Sequence, residues 1–199
     1  MCYRYMKENL ANLQDDELVC LFQQRKNAEA FEELVFRYKN SLYQYILAMV
    51  KEEAVAEDLF QEVFIGFFKH AEKYTPQQKF KSWLFLVARN KVFNYIRDTH
   101  KNMSLDETDE EGNFIWHDTL ADKTSNMWES LSQQELSLQL ERAVGCLSPH
   151  QREIIYLRPY FSFKEISQLV GRPLGTVLAD CYRGVQKMQQ LLNDNEDEL

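Results

Sequence analysis

The fold is decided by one stretch, KSWLFLVARNKVFNYIR at residues 81–97, which contains neither Gly nor Pro. Five of its residues recur at every fourth position and alternate between cations and aromatic rings: Lys81, Phe85, Arg89, Phe93 and Arg97. At about 3.6 residues per turn, such a row forms one slowly wrapping line on a helix. A second row is apolar throughout: Leu84, Ala88, Val92 and Ile96. The stretch therefore predicts a helix with a core-facing side and a basic and aromatic line.

This basic and aromatic line has two interpretations. Lys and Arg neutralise phosphates while aromatic rings stack on exposed bases, which is typical of surfaces that bind nucleic acid. An amphipathic helix with snorkelling cations and a buried Phe85 or Phe93 gives the same spacing. The helix alone does not choose between them.

The composition favours an all-α fold. Gly (6) and Pro (4) are scarce among the 199 residues, and long stretches lack turn signals. The length suffices for one or two compact domains. No apolar run approaches the roughly 20 residues of a membrane span, and the N-terminus lacks a secretory signal. The four cysteines form no CxxC pair, so we expect reduced thiols in a cytoplasmic protein without membrane insertion.

The net charge of −8 is unevenly distributed along the chain. Residues 102–130 carry one Lys and eight Asp or Glu, a net charge of −7, and lose helical periodicity. This segment predicts an acidic linker in which Phe114–Trp116 is a docking point. The flanking residues 1–101 and 131–199 carry net charges of +1 and −2. We therefore predict two small helical domains, 1–101 and 131–199, joined by the linker.

Helical periodicity and capping signals divide each domain further. In the first domain they predict helices over about residues 16–25, 28–50, 54–73 and 81–98. Asp15 or Asp16 is the predicted N-cap of the first of these helices. In the second domain a helix over 131–146 precedes two start signals, Ser148-Pro149 and the capping box at Ser162. A last helix over about 173–192 follows Gly171. The short helix, the Gly turn and the longer helix predict a helix-turn-helix, although a generic helical hairpin gives the same pattern.

Signatures of catalysis and metal binding are missing from the sequence. The four histidines are scattered without an HExxH pair, and no Gly-rich phosphate loop, GxSxG elbow or paired-Cys spacing occurs. We therefore expect neither enzymatic activity nor a metal or other cofactor.

Three segments read together resemble bacterial sigma factors. AEDLFQEVFIGFFKHAEKY (56–74) followed by FKSWLFLVARNKVFNYIR (80–97) resembles their conserved second region. LSPHQREIIYLRPYFSFKEISQLVGRPLGTV (147–177) resembles their fourth region. The order, spacing and size resemble the extracytoplasmic-function (ECF) group of the sigma-70 family, over about residues 15–101 and 131–192. The resemblance implies an alternative sigma factor that binds core RNA polymerase and directs promoter-specific initiation, including recognition and melting of the −10 element.

The resemblance also implies which residues act. The clamp coiled coil of core polymerase would be bound by Asp58, Gln61 and Glu62. The −10 region of the promoter would be bound by Lys79, Lys81, Phe85, Arg89, Asn90, Lys91, Asn94 and Arg97. The preceding loop, residues 75–80, would help to capture a flipped base, with Trp83 packing to fix it. The acidic linker would thread through polymerase channels or act as a solvated tether.

The last helix departs from the strongly basic recognition helices of the family. A core-facing stripe is predicted from Val177, Cys181, Gly184, Met188 and Leu191. The opposite side then presents Leu178, Asp180, Tyr182, Arg183 and Val185. We therefore predict a weak or unusual −35 contact through Arg172, Thr176, Ala179, Asp180 and Arg183. Asp180 would either accept a hydrogen bond from a cytosine amino group or repel DNA, and Leu178 and Val185 would alternatively form a protein-binding patch.

The implied partners are the clamp and flap of core RNA polymerase, promoter DNA and an anti-sigma factor. Two alternative functions stay open. A helix-turn-helix regulator that acts without polymerase would need a basic recognition helix, which this chain lacks. A sigma-like adaptor that binds only proteins is favoured by the nonbasic last helix and opposed by the basic and aromatic line.

Overall fold

The structure is a computed structural model that describes residues 10–75, 77, 79–102, 139–140 and 142–194. Within these ranges every regular element is helical, in agreement with the predicted all-α class. The chain divides into two compact units, Met1–His100 and Lys101–Leu199. The predicted acidic linker lies outside the described residues apart from Asn102. Of the helices described, none combines the length and apolar character that crossing a membrane requires.

The first unit is built from α-helices joined by short turns. They are α1 (Asp15–Arg25), α2 (Ala28–Val50), α3 (Glu53–His70) and α4 (Phe80–Asn102), with a 3-10 turn at Ala71–Lys73 between the last two. The predicted bounds of α2 are confirmed. The segment predicted as one helix over 54–73 ends its α-helical part at His70, and α4 continues past the predicted end to Asn102.

The cap of α1 differs from the prediction. The N-cap is Gln14, whose backbone N–H donates to the Glu17 carboxylate at 2.7 Å. Asp15 instead accepts hydrogen bonds from Arg37 at 2.9 Å and from the Tyr38 hydroxyl. Burial and this bond to Asp15 raise the pKa of Tyr38, so its hydroxyl stays protonated. The predicted capping carboxylate is therefore used to join α1 to α2.

Aromatic rings fill the core of the first unit, with Phe67 of α3 at their centre. Its ring centroid lies 5.8 Å from Phe22 of α1 and 6.1 Å from Phe31 of α2. On α4 it lies 5.0 Å from Phe80 and 5.6 Å from Trp83. These separations fall in the range in which aromatic pairs attract one another. One side chain therefore contacts all three other helices of the unit.

We expect Phe67→Ala to destabilise the first unit by about 3–5 kcal/mol, because it leaves a cavity among four helices. The measurement is urea denaturation of the full chain followed by circular dichroism. Ile65→Ala on the exposed side of the same helix is the control, with an expected loss below about 1 kcal/mol. Equal losses in the two variants would contradict the central position of Phe67.

The second unit contains α5 (Pro149–Leu157), α6 (Phe163–Val170) and α7 (Leu174–Asp194), preceded by helical residues at 139–140 and 142–145. Both predicted start signals are confirmed. Ser148 caps α5, and its Oγ accepts the Gln151 N–H at 3.3 Å. Ser162 caps α6 in a capping box with Glu165.

The turn from α6 to α7 and the packing of α7 both depend on glycine. Gly171 ends α6 in the left-handed region, at φ 70°, and donates its N–H to Ser167 at 3.0 Å. Gly184 lets α7 approach α5 closely, because an added Cβ would lie 3.0 Å from Cδ1 of Ile155. The described residues therefore form the helix, turn and longer helix that the sequence predicted.

Candidate polymerase and nucleic-acid interface

The basic and aromatic line passes through the core at its second member, Phe85, and reaches the surface further along α4. Each i, i+4 step rotates by about 40° around the helix axis, so five members turn through about 160°. Phe85 is 0% exposed, and its ring lies 5.6 Å from that of Tyr45. Arg97, at the other end, is exposed. The expectation that Phe85 belongs to the DNA-facing surface is therefore wrong, because its position in the row points into the core.

The apolar row of α4 shows the same rotation. Leu84, Ala88 and Val92 are fully buried, as predicted, whereas Ile96 is only half-buried. A row with this spacing drifts away from a fixed core after about two turns. Both rows of α4 therefore change their environment along the helix.

The exposed side of α4 combines amides, cations and apolar groups. Its exposed residues are Leu86, Asn90, Asn94, Arg97 and Asp98, and Nε of Arg97 donates to Oδ1 of Asp98 at 3.2 Å. Lys79 is exposed just before the helix, while Lys81 and Arg89 are half-buried. The Arg89 guanidinium lies over the ring of Phe93 at 4.5 Å, a distance typical of a cation–π contact. Leu86 belongs to this side, and the sequence interpretation missed it.

Lys91 joins two surfaces that were predicted separately. Its Nζ donates to Glu62 of α3 at 2.6 Å, so a predicted DNA-binding residue pairs with a predicted polymerase-binding residue. Tyr95, one turn further along α4, donates to Glu52 at 3.4 Å. The first pair is partly exposed and contributes at most about 1 kcal/mol. It therefore fixes the side chains locally more than it stabilises the unit.

The predicted polymerase-binding residues share one exposed face of α3. Asp58, Gln61 and Glu62 are all exposed. The same face continues into two apolar residues, Ile65 at 49% and Phe68 at 53% exposure. The sequence interpretation of this face included neither Ile65 nor Phe68. The i, i+7 spacing from Asp58 to Ile65 was the signal that could have found the first.

The loop before α4 is held at both of its ends. The side-chain amide of Gln23 donates to the carbonyls of Ala71 and Tyr74, both at 2.7 Å. At the other end, Phe80 is buried with its ring 5.9 Å from Trp83. The predicted packing of Trp83 is confirmed by this contact and by a second one with Tyr74 at 5.2 Å. Phe80 is thus a core residue, and residues 76 and 78 lie outside the described part.

The last helix shows the predicted core stripe. Val177 and Gly184 are buried, and the remaining members are half-buried: Cys181, Met188 and Leu191. Burial raises the pKa of the Cys181 thiol, which keeps it protonated and unreactive. On another side, an exposed apolar line consists of Leu174, Leu178, Tyr182 and Val185.

Asp180 does not lie where the sequence placed it. Its side chain is 8% exposed, with Oδ2 2.6 Å from Nη1 of Arg172 and Oδ1 2.7 Å from Nη2 of Arg183. Both carboxylate oxygens therefore already accept a hydrogen bond from an arginine. The expectation that Asp180 faces solvent, where it would bind a cytosine or repel DNA, is wrong. Of the other predicted −35 residues, Ala179 is exposed and Thr176 half-buried.

Among the described residues, no group of three His, Cys, Asp or Glu is placed to hold a metal ion. The polar groups of α3, α4 and α7 are instead arranged on exposed helix faces. Such faces can bind a protein or a nucleic acid, and no described cluster in them has the form of a metal-ligand set.

Comparison with known proteins shows which family the chain is similar to. Residues 34–102, which contain α3 and α4, match Sigma-70 region 2. The ECF RNA polymerase sigma factor SigW of Bacillus subtilis is 28% identical over 170 residues, covering 83% of this chain and 90% of SigW. SigM of the same organism is 27% identical over 165 residues, covering 81% of this chain and 94% of SigM. Over most of its length the chain is similar to ECF sigma factors of the sigma-70 family.

Solved structures agree with this similarity at the level of the fold. The sigma factor RpoE, solved with the anti-sigma factor NepR from Bartonella quintana, has a TM-score of 0.62 at 22% identity. The match covers 82% of this chain and 96% of RpoE. CnrH, solved with the cytosolic domain of CnrY, has the same TM-score at 21% identity and covers 92% of this chain and 99% of CnrH. The protein therefore has the two-domain helical fold of these solved structures.

We expect Phe85→Ala to reduce the stability of this protein by about 3–5 kcal/mol, because the ring is fully buried against Tyr45. Phe93→Ala is the matched variant on the same row, and we expect a loss below about 1.5 kcal/mol since Phe93 is half-buried. Thermal or urea denaturation measures both. Equal stability of Phe85→Ala and wild type would contradict the burial of this ring.

Proposed function

We propose that this chain is an ECF sigma factor that binds core RNA polymerase through the exposed face of α3 and holds the −10 element along the exposed side of α4. The observation that carries the proposal is the junction of the two surfaces at the Glu62–Lys91 pair, inside the region that matches Sigma-70 region 2. A protein-binding face and a DNA-binding face on adjacent helices let one domain hold promoter DNA next to polymerase.

The chemistry of the α3 face fits a protein partner. Asp58, Gln61 and Glu62 provide charge and hydrogen-bonding groups, and Ile65 and Phe68 expose apolar surface beside them. Exposed apolar side chains that are bordered by polar ones are typical of interaction sites. The partner implied by the family resemblance is the clamp coiled coil of core polymerase.

The chemistry of the α4 side fits strand-separated DNA. Lys79, Arg89 and Arg97 would neutralise phosphates, and Asn90 and Asn94 can both donate to and accept from base edges. Phe93 and Leu86 supply apolar surface in place of the buried Phe85. Unstacking and flipping a base costs a few kcal/mol. Contacts from this side and from the preceding loop would offset that cost and so assist melting.

The second unit would bind the −35 element through its helix-turn-helix. Only two of the predicted contact residues are cationic, Arg172 and Arg183, and both pair with Asp180. Each phosphate contact contributes about 0.9 to the salt slope of binding. We therefore expect a −35 contact with a small salt dependence, and a larger share of promoter affinity from α4.

A second candidate function is a sigma-like adaptor that binds proteins only. The exposed apolar line of α7 favours it: Leu174, Leu178, Tyr182 and Val185. RpoE, which shares the fold, was solved with an anti-sigma factor, and a partner of that class is the one we propose for this chain. Binding of an anti-sigma factor is compatible with either candidate function.

Reconstitution with core polymerase tests the main proposal. The purified chain is added to core enzyme, and run-off transcription is followed on genomic fragments. We expect a stable holoenzyme and transcripts from a small set of promoters. Failure to bind core would refute the proposal, and core binding without promoter-specific transcripts would favour the adaptor.

We expect Asp58→Ala and Ile65→Ser each to weaken core binding about tenfold, the effect of losing one important interface residue. Binding of labelled variants to core polymerase measures this. Glu32→Ala, an exposed acid on α2, is the control and should bind like wild type. A loss in the control as large as in Asp58→Ala would show that total negative charge, and not the α3 face, determines binding.

Substitution of Arg89 and Arg97 by Ala should impair initiation more than Arg183→Ala. The α4 arginines would contact the melted strand, whereas Arg183 already shares Asp180 with a second arginine. Run-off transcription at saturating core polymerase gives the comparison, and a core-binding assay verifies that each holoenzyme forms. If Arg183→Ala had the stronger effect, the −35 contact would be the dominant one.

A further inference from the structure

A buried carboxylate in the second unit holds two arginines at the edge of α7. Oδ2 of Asp180 accepts a hydrogen bond from Arg172 at 2.6 Å, and Oδ1 accepts one from Arg183 at 2.7 Å. The carboxylate is 8% exposed, whereas the arginine side chains are 30% and 61% exposed. The carboxylate is therefore shielded from solvent, whereas both of its arginine partners reach the surface.

We propose that Asp180 is a positioning residue, which orients Arg172 and Arg183 to bind phosphates of duplex DNA. The proposal rests on the −35 role proposed above for the second unit. The sequence suggested that Asp180 itself binds a base or repels DNA. In this proposal Asp180 instead orients the two arginines that bind DNA.

The backbone around Arg172 is fixed as well as its side chain. The Ser167 hydroxyl donates to the Arg172 carbonyl at 2.7 Å, and the Arg172 N–H donates back to the Ser167 carbonyl at 3.2 Å. Arg172 follows Gly171, whose left-handed conformation ends α6. Arg183 stands three residues after Asp180 on α7, the spacing at which helix side chains meet. One arginine from the turn and one from the helix thus converge on a single carboxylate.

Each arginine keeps donors for a further partner. A guanidinium has five N–H donors in a rigid planar fork, and this fork matches the oxygens of a phosphate. The contacts with Asp180 use one terminal nitrogen of each side chain. Two cations that share one anion retain one net positive charge, so the cluster still attracts a polyanion.

Asp180 has two possible effects on DNA affinity, and they have opposite signs. By charge alone it cancels one cation and weakens binding. By orienting the arginines it removes part of the rotamer entropy that two long side chains lose on binding. The burial of the carboxylate between both arginines favours the orienting effect. A substitution that removes the charge distinguishes the two, because it raises DNA affinity if charge dominates and lowers DNA affinity if orientation dominates.

The test uses holoenzyme reconstituted from core polymerase and the full chain. The probes are a fluorescein-labelled promoter fragment from the run-off experiment and the same fragment without duplex upstream of the −10 element. Binding is measured by anisotropy between 50 and 200 mM NaCl. Weaker binding of wild type to the shortened probe supports the −35 role. Equal binding to both probes would refute that role, independently of what Asp180 does.

We expect Asp180→Asn to weaken binding to the full fragment about tenfold and to lower the salt slope, the effect of losing one or two phosphate contacts. Binding to the shortened probe should be unchanged. Asp194→Asn removes the same charge near the end of the same helix and should bind at least as tightly as wild type. A folded Asp180→Asn that binds as tightly as wild type, or more tightly, would overturn the proposal.

Two further variants keep the test decisive. In an Arg172→Ala and Arg183→Ala background, Asp180→Asn should cause no additional loss, and an additional tenfold loss would contradict the positioning role. If circular dichroism shows that Asp180→Asn unfolds the second unit, the double variant Arg172→Lys and Arg183→Lys is used to test the proposal instead. It keeps both charges but lacks the planar fork, so we expect weaker binding, and wild-type affinity would overturn the proposal.

Discussion

The packing of Phe67 against rings from three other helices is the interaction on which the first unit depends. Phe22, Phe31 and Phe80 surround it, with centroids 5.0–6.1 Å away. Each of these contacts fixes the rotation of one helix about its own axis, because an aromatic ring packs well in few orientations. Once these contacts determine which residues of α3 and α4 are buried, they also determine which residues are exposed on the opposite sides. The proposed polymerase-binding face and the proposed DNA-binding side are therefore consequences of how the core packs.

One ion pair in the first unit and one carboxylate with two arginines in the second then define how the exposed faces are used. Lys91 and Glu62 join α4 to α3 at the junction of the two surfaces, and Asp180 joins Arg172 to Arg183 in the second unit. The first pair is partly exposed and weak. The Asp180 carboxylate is buried, so removal of either of its partners would leave a poorly solvated charge. The two arrangements thus differ in function. Lys91 and Glu62 can exchange each other for solvent or a ligand, whereas the Asp180 cluster is part of the fold.

The sequence predicted the helices well because helical spacing and capping are local properties. Ser148 and Ser162 cap α5 and α6 as predicted, and α2 has its predicted bounds. The cap of α1 was mispredicted, since Asp15 has a better partner in Arg37, which lies 22 residues away in the chain. The candidate residues at Asp58, Gln61 and Glu62 are exposed as expected, and Ile65 completes their face. Distant partners, which the spacing of neighbouring residues does not encode, account for the differences.

By itself, the sequence determined that this chain is all-helical in its described parts, where most helices begin and end, and which family it resembles. Only the tertiary structure decided which members of a row are exposed. Phe85 and Arg97 belong to the same i, i+4 row, yet the first is buried and the second is not. The reason is that such a row turns by about 40° at each step while the neighbouring helices stay in place. Asp180 shows the same principle, because its burial follows from two arginines that its position in the sequence does not reveal.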